Sequence, residues 1–569
     1  MLKPWLKNYP EGTPAETLAP THPSIAALFE STCKAYPDNP AFTNMGTTLT
    51  YRQLEEKTAA FANFLRQDLG LQKGDRVAIM MPNLLQDPVA IFGVLRAGLI
   101  VVNTNPLYTA PELKHQLNDS GASAIVVVEN FAHVLESIID EVNLKAVITT
   151  QMGDLLDFPK SLIVNLVVRH IKKLIPDWNI PSATPFKEAL KRGAAFTFEP
   201  TDTTVDEIAF LQYTGGTTGV AKGAMLTHAN LLANMEQCFL WITHGTAGHG
   251  MKPLELGKET VITALPLYHI FALTANCLTF MKLGGHNYLI TNPRDMPGFV
   301  NELKETKFTA ITGVNTLFNG LTNTPGFDEI DFSNLKVSLG GGMAVQESVA
   351  AIWKEKTGCT LVEAYGLTEA SPAVCINPLS LDAFNHSIGL PIPSTECSIQ
   401  DENGNLLPID SEGELCIKGP QVMKGYWQRE DETAKIFDAG GWLHTGDIAK
   451  MDEDGFFYIV DRLKDMILVS GFNVYPNEIE SVIAAHPDVL ECGVIGVPDK
   501  KSGEAVLAVI VKKEPHLTEQ EVKDWCRKSL VSYKTPDQIF FDDELPKTNV
   551  GKILRRTLRD QYVEKMESK

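Results

Sequence analysis

Between residues 23 and 157, stretches with apolar positions at helical spacing, such as 51–69, alternate with short β-branched runs, such as 76–79 and 124–128. This alternation predicts helices layered on a mostly parallel sheet. The same rhythm returns over 208–364, with strands expected at 208–212, 261–265, 308–311 and 337–339. From 387 to 459 the runs shorten and turn signals crowd in, DENGN at 401–405 and DEDG at 452–455, which predicts a β-rich unit. After DRLKD (461–465) come helical segments at 476–485 and from 518, apolar runs at 493–497 and 506–511, and a basic tail. The expected architecture is therefore α/β. A large N-terminal domain of layered sheets, 1–461, carries a β-rich subdomain at about 387–460, and a small mobile α+β domain, 462–569, follows on a hinge.

One segment, PKSLIVNLVVRHIKKLIPDW at 159–178, carries a stripe of Leu162, Ile163, Leu166, Val167, Ile171 and Leu174, with Asn165, Arg169, Lys172 and Lys173 largely opposite. Two readings stand: a helix packed on its own sheet, or a basic amphipathic helix resting on an anionic membrane surface. No run approaches the ~18 uncharged apolar residues of a transmembrane span, and the best, 90–102, is broken by Arg96. The N-terminal MLKPWLKNYPEG lacks the apolar core of a signal peptide.

Composition narrows the ligand. The 569 residues, 44% apolar and 21% charged, suit a soluble globular chain of several units. The net charge of −20 opposes a phosphate backbone, so nucleic acid is not an expected partner. Any anionic ligand must then be met by a local cluster of cations, backbone amides or a metal. The nine cysteines form no CxxC pair, which argues against a disulfide framework or a structural zinc site and suits a reducing, cytoplasmic setting.

The strongest local signal is DEIAFLQYTGGTTGVAKGAMLTH, 206–228, where an expected strand runs into a loop of glycines, threonines and Lys222. Glycines let backbone N–H groups approach phosphate, hydroxyls donate to its oxygens or reach magnesium, and the lysine brings charge. It is not a Walker A loop, because Val220 and Ala221 separate Gly219 from Lys222.

This string resembles the phosphate-loop signature of the adenylate-forming superfamily of acyl-CoA synthetases, luciferases and peptide-synthetase adenylation domains. PLYHIFAL (266–273), GGGMAV (340–345), EAYGLTE (363–369), GWLHTGDIA (441–449), DRLKDMILVSGFNVYPNEIE (461–480) and PKTNVGKILRR (546–556) follow in the order of that family. The wider text, including NMGTTLTYRQLEE and LITNPRDMPG, is similar to its bacterial long-chain fatty-acid branch.

The resemblance implies an ATP-dependent, AMP-forming ligase that joins a long-chain fatty acid to coenzyme A and feeds fatty-acid degradation. It assigns ATP to Tyr213, Thr214, Gly215, Gly216, Thr217, Thr218, Gly219, Val220, Ala221, Lys222, Gly223, Ala224, Gly341, Gly342, Met343, Tyr365, Gly366, Thr368, Asp447 and Arg462. Mg2+ would sit on Glu369 with Thr214, as an oxygen-ligand site beside phosphates suits that hard ion. Lys552 would bridge the substrate carboxylate and the α-phosphate, His269 would position the reacting groups, and Lys464 would be the hinge. Gly313, Val314 and Gly341 would wall the acyl tunnel, together with Met343 and residues 311–318, while Gly471 and Phe472 would line the pantetheine path. Ala364 departs from the commoner Gly-Tyr-Gly pattern and puts the local pocket shape in question. The chain is expected in the cytoplasm, and peripheral contact with the cytoplasmic face of the inner membrane and a homodimer are both left open. The rivals are an acyl-AMP ligase serving a carrier protein and a non-catalytic lipid-binding relative, the latter opposed by the joint presence of Lys222, Glu369, Asp447, Arg462 and Lys552.

Overall fold

The computed structural model describes residues 3–214, 221–246, 252–470, 472–499, 502–548 and 551–567. Two large sheets form its centre. In the first, of seven strands, Thr184–Pro185, Ala146–Thr150, Ala122–Val128, Arg76–Met80, Ile100–Asn103 and Ile208–Thr214 lie side by side in parallel, and Lys222–Thr227 closes the edge antiparallel. In the second, of nine, the run from Leu361–Gly366 through Val337–Gly341, Ala310–Gly313, Thr260–Thr263 and His286–Leu289 to Pro40–Asn44 is parallel, with antiparallel strands added at both ends. Strands such as Ala122–Val128, buried at every position, read as continuous apolar runs because helices cover both faces.

The β-rich unit is a four-stranded antiparallel sheet of Glu396–Gln400, Gly413–Lys418, Leu443–Met451 and Phe457–Arg462. A further five-stranded sheet is built on the long hairpin of Val489–Asp499 and Gly503–Lys512. Two apolar clusters draw their buried residues from between Trp5 and Phe457, whereas two others draw theirs only from between Ile467 and Tyr562. The class and layering are those that the sequence predicts. All nine cysteines are free thiols. Among the described residues, no helix is long and apolar enough to cross a membrane.

The 159–178 segment contradicts the packed-helix reading. It forms a helix over Lys160–Leu166 that loosens into a π-helical turn, Val167–Ile171, and its apolar stripe faces outward: Leu162, Ile163, Leu166, Ile171 and Leu174 are all at least half exposed, as is Phe158 before them. The polar side fastens it. Asn165 accepts from the Gly153 N–H at 2.7 Å and donates to Asp154, and Arg169 pairs with Glu129. Arg169 is thus an inward anchor and leaves the exposed cations to Lys172 and Lys173.

Candidate active site

A cavity of about 1100 Å³ opens where the C-terminal ends of both large sheets meet the β-rich unit and the tail. Loops at strand C-termini are the usual ligand ground of parallel sheets, since the chain there is free to vary over a fixed scaffold. Its wall brings together Tyr213, Thr214, Lys222, His269, Gly341, Gly342, Tyr365, Gly366, Thr368, Glu369, Asp447, Arg462, Lys464 and Lys552, residues spread over more than half of the chain.

Gly366 marks a close approach, since a Cβ there would lie 2.3 Å from the Pro372 carbonyl oxygen. Tyr365 Oη donates to Asp447 Oδ2 at 2.5 Å, and burial beside that carboxylate raises its pKa, so the phenol stays a donor. The second Asp447 oxygen, Oδ1, lies 3.4 Å from Arg462 Nε across the pairing of their two strands. The turn before Asp447 is braced by Glu414, which accepts from the Gly446 N–H at 2.9 Å and sits 2.8 Å from His444 Nδ1.

Lys552 enters from the tail. Burial, and then the Arg462 guanidinium nearby, push its pKa down to about 7. His269 is held near 4 by burial, with the Lys552 charge adding to the effect, so it is a neutral imidazole. Its Nδ1 accepts from the Phe271 N–H at 3.3 Å, which puts the ring proton on Nε2. A neutral imidazole N–H donor and the Lys552 amino group thus line the same cavity. Lys464, beside Arg462, is likewise shifted down, chiefly by burial.

Elsewhere on the wall, Lys222 pairs with Glu432 and lies 4.9 Å from the Tyr426 ring centroid. The Glu432 carboxyl is driven down to about 2 by Lys222 and Lys435. Tyr213 donates to Asp119 at 2.7 Å, and Arg429 holds the same carboxylate. Gly215, Gly216, Thr217, Thr218, Gly219 and Val220, together with Gly471, lie outside the described residues. Ala221, Gly223 and Ala224 support the loop from strand Lys222–Thr227 and its approach, with Ala224 bridged to Tyr426, and do not contribute to the wall.

An apolar arm leads away from this polar end. Gly341, Leu339 and Val337 on one strand, and Val314, Thr312 and Ala310 on or just past its neighbour, recur at two-residue spacing and so share one face of the sheet. They offer about 13 Å of wall. Opposite stand Phe271, Ala275, Thr279 and Phe280 from the π-helical run Ala272–Leu278 and its flanks. The hydroxyls in this arm are satisfied internally, Thr312 on Asn276 at 2.8 Å and Thr279 on the Thr274 carbonyl at 2.8 Å. A hydrocarbon would therefore leave no buried polar group unpaired. Ala364 also lines the cavity, while Gly313 and Met343 do not. Phe472 lies away from it, exposed and stacked on Tyr533 with ring centroids 4.8 Å apart.

Sequence reasoning missed Tyr426, Arg429 and Glu432, and the deep wall at Phe280, Ala310 and Val337. It also missed Arg555, which joins Asp461, Asp465 and Glu480 at the root of the tail. The one signal for Tyr426 is the string GYW, placed after a glycine as turn residues are.

The cavity thus carries polar and charged side chains, Lys222, Glu369, Asp447 and Lys552 among them, together with an apolar arm. The chain belongs to the AMP-binding enzyme family, which matches residues 29–427, and the C-terminal domain of that family matches 478–552. It is 57% identical over all 569 residues, and over the whole of the relative, to a long-chain-fatty-acid–CoA ligase of Escherichia coli O6:H1. A protein of the same description from Bacillus subtilis is 39% identical, covering 99% of this chain and 98% of its own. Among solved structures, ATP-bound MatB from Rhodopseudomonas palustris superposes with a TM-score of 0.78 at 28% identity, covering 95% of this chain and 99% of that one.

Proposed function

We propose that this chain is an AMP-forming long-chain fatty-acid–CoA ligase. A fatty-acid carboxylate oxygen attacks the α-phosphorus of ATP, pyrophosphate leaves, and the coenzyme A sulfur then takes the acyl carbon while AMP departs and the thiol gives up its proton. The full-length identity to ligases of that description carries the reading, and a cavity that holds an apolar arm together with Lys552 and His269 supports it. The acid is ionised at pH 7, so the first step needs no base. Its obstacle is the approach of two anions, worth about 4 kcal/mol at 4 Å and an effective dielectric of 20. Lys552 meets that with charge, His269 Nε2–H orients an oxygen, and Asp447 takes the ribose hydroxyls.

Glu369 and Thr214 would hold Mg2+, which would draw charge from the phosphate oxygens. The donor set fits: both line the cavity, and the Glu369 carboxylate has no ion-pair partner among the described residues. The boundary at 461/462, with Lys464 as pivot, is part of this reading, because thioester formation needs a different face over the same intermediate. The acyl thioester would feed fatty-acid degradation.

Asp447→Ala should raise the KM for ATP about 10- to 100-fold, the worth of hydrogen bonds to a charged acceptor, with little change in the KM for fatty acid. Steady-state kinetics with each substrate varied in turn checks this, and equal movement of both constants would remove the ribose assignment.

The outward stripe at 158–174 is proposed to rest on the bilayer from which a long-chain acid is drawn. ATP and coenzyme A are supplied inside the cell, so the cytoplasmic face is the one reached. Lys172 and Lys173 lie beside the stripe, and each is worth about 1 kcal/mol near anionic lipid. Leu166→Asp with Lys172→Glu and Lys173→Glu should abolish sedimentation with anionic vesicles while sparing activity on a soluble medium-chain acid. Unchanged, salt-insensitive sedimentation would exclude this surface.

A further inference from the structure

The residue that links the two halves of the phosphate end is one to which no chemistry has been given. Tyr426 Oη donates to Glu369 Oε1 at 2.6 Å, and the face of the same ring lies 4.9 Å from Lys222 Nζ. The segment around it grips the same glutamate by its backbone, since the Met423 N–H donates to the Glu369 carbonyl at 2.7 Å. It is itself pinned to strand Lys222–Thr227 through Met225 to Gly425 at 2.9 Å and Trp427 to Gly223 at 2.8 Å. The Tyr426 N–H is capped by Thr433 Oγ1 at 2.9 Å. With its backbone tied on both sides, the ring has little freedom.

From this geometry we infer that Tyr426 is a positioning residue for adenylation, aligning the Glu369 carboxylate for a divalent cation while its ring holds the Lys222 ammonium at the phosphate end. The inference rests on the reading of Glu369 given above. A carboxylate on the wall of a solvent-filled cavity has several rotamers, and fixing one oxygen with a phenolic donor leaves the other to face the cavity. An ionised carboxylate can only accept, so the phenolic O–H is the donor in this pair. The ring face attracts an ammonium through its quadrupole and accepts no hydrogen bond from it, so Lys222 is held near the site with its donors free for phosphate once Glu432 is displaced.

The two roles separate by substitution. Tyr426→Phe keeps the ring and removes the hydroxyl, whereas Tyr426→Leu removes both. Tyr426→Phe should raise the Mg2+ concentration that gives half-maximal pyrophosphate release about tenfold, the worth of one hydrogen bond to a charged group. The calorimetric affinity for ATP with Mg2+, measured without fatty acid, should weaken to match, and the affinity for ATP in EDTA should not. Tyr426→Leu should also weaken binding in EDTA, because Lys222 loses its shelf. Thermal unfolding midpoints establish that each variant is folded.

Glu369→Gln separates the two levels of the argument. If it leaves the Mg2+ dependence unchanged, the cation assignment itself falls. If it shifts that dependence and Tyr426→Phe does not, the positioning role falls while the assignment stands. In the double variant the tyrosine substitution should add nothing to Glu369→Gln, and additive effects would make Tyr426 an independent packing residue.

Discussion

Lys552→Ala should lower pyrophosphate release in the presence of fatty acid by about 10²- to 10³-fold, the usual result of removing one preorganised charge at a reacting centre. Thioester formation from supplied acyl-AMP should persist, because once the anhydride exists the two anions no longer have to be brought together. Equal loss in both half-reactions would give Lys552 a structural role instead. The pKa of about 7 adds a pH signature. The charged form is required, so kcat/KM for adenylation, which reports the free enzyme, should fall about tenfold per pH unit above that value. Bound ATP and carboxylate favour the ammonium, so the limb in kcat should sit higher. Lys552→Arg, which keeps its charge at every accessible pH, should flatten the alkaline limb even where its rate is lower.

Lys464→Pro should show the reverse selectivity. The residue lies two positions past strand Phe457–Arg462, and proline fixes φ and removes the backbone donor there. Pyrophosphate release should survive, whereas conversion of acyl-AMP to thioester should fall about a hundredfold if rotation at this point is required. The contacts such a rotation must break include Asp461 to Arg555, with oxygen and nitrogen 3.4 Å apart, and Asp461 Oδ2 to the Asn477 N–H at 2.8 Å. Asp461 lies before the proposed pivot and both partners after it. An overall rate equal to that of the unaltered enzyme would place the pivot elsewhere.

Much of the scaffold was legible because its signals are local. The strand expected at 208–212 runs two residues further, to Thr214, and the helix expected at 476–485 is Pro476–Ala484, with proline in its first turn as the sequence implies. Thr518 caps the helix Glu519–Cys526 with Glu521 completing the capping box, a pattern readable from the spacing alone. The charged residues Lys222, Glu369, Asp447, Arg462 and Lys552, which line the cavity, could be singled out because they stand in ordered motifs. Tyr426, Arg429 and Glu432 were not, since their meaning depends on Glu369, Asp119 and Lys222, which only folding brings near. The apolar arm was beyond sequence for a different reason: Val337 and Leu339 have the two-residue spacing of any buried strand, and whether the facing space is empty depends on helices elsewhere. The 160–171 helix shows the same limit. Periodicity gives a stripe but not the side on which the protein lies, and that was decided by Asn165 and Arg169 finding Gly153, Asp154 and Glu129.

The most direct test of the account is a rapid-quench experiment with ATP labelled at the α-phosphate, a long-chain acid and no coenzyme A, followed by a coenzyme A chase. The account predicts an enzyme-bound acyl-adenylate with matching pyrophosphate before the chase, and its conversion to labelled AMP and acyl-CoA after it. ADP and inorganic phosphate as products, or an adenylate that the chase leaves untouched, would contradict it.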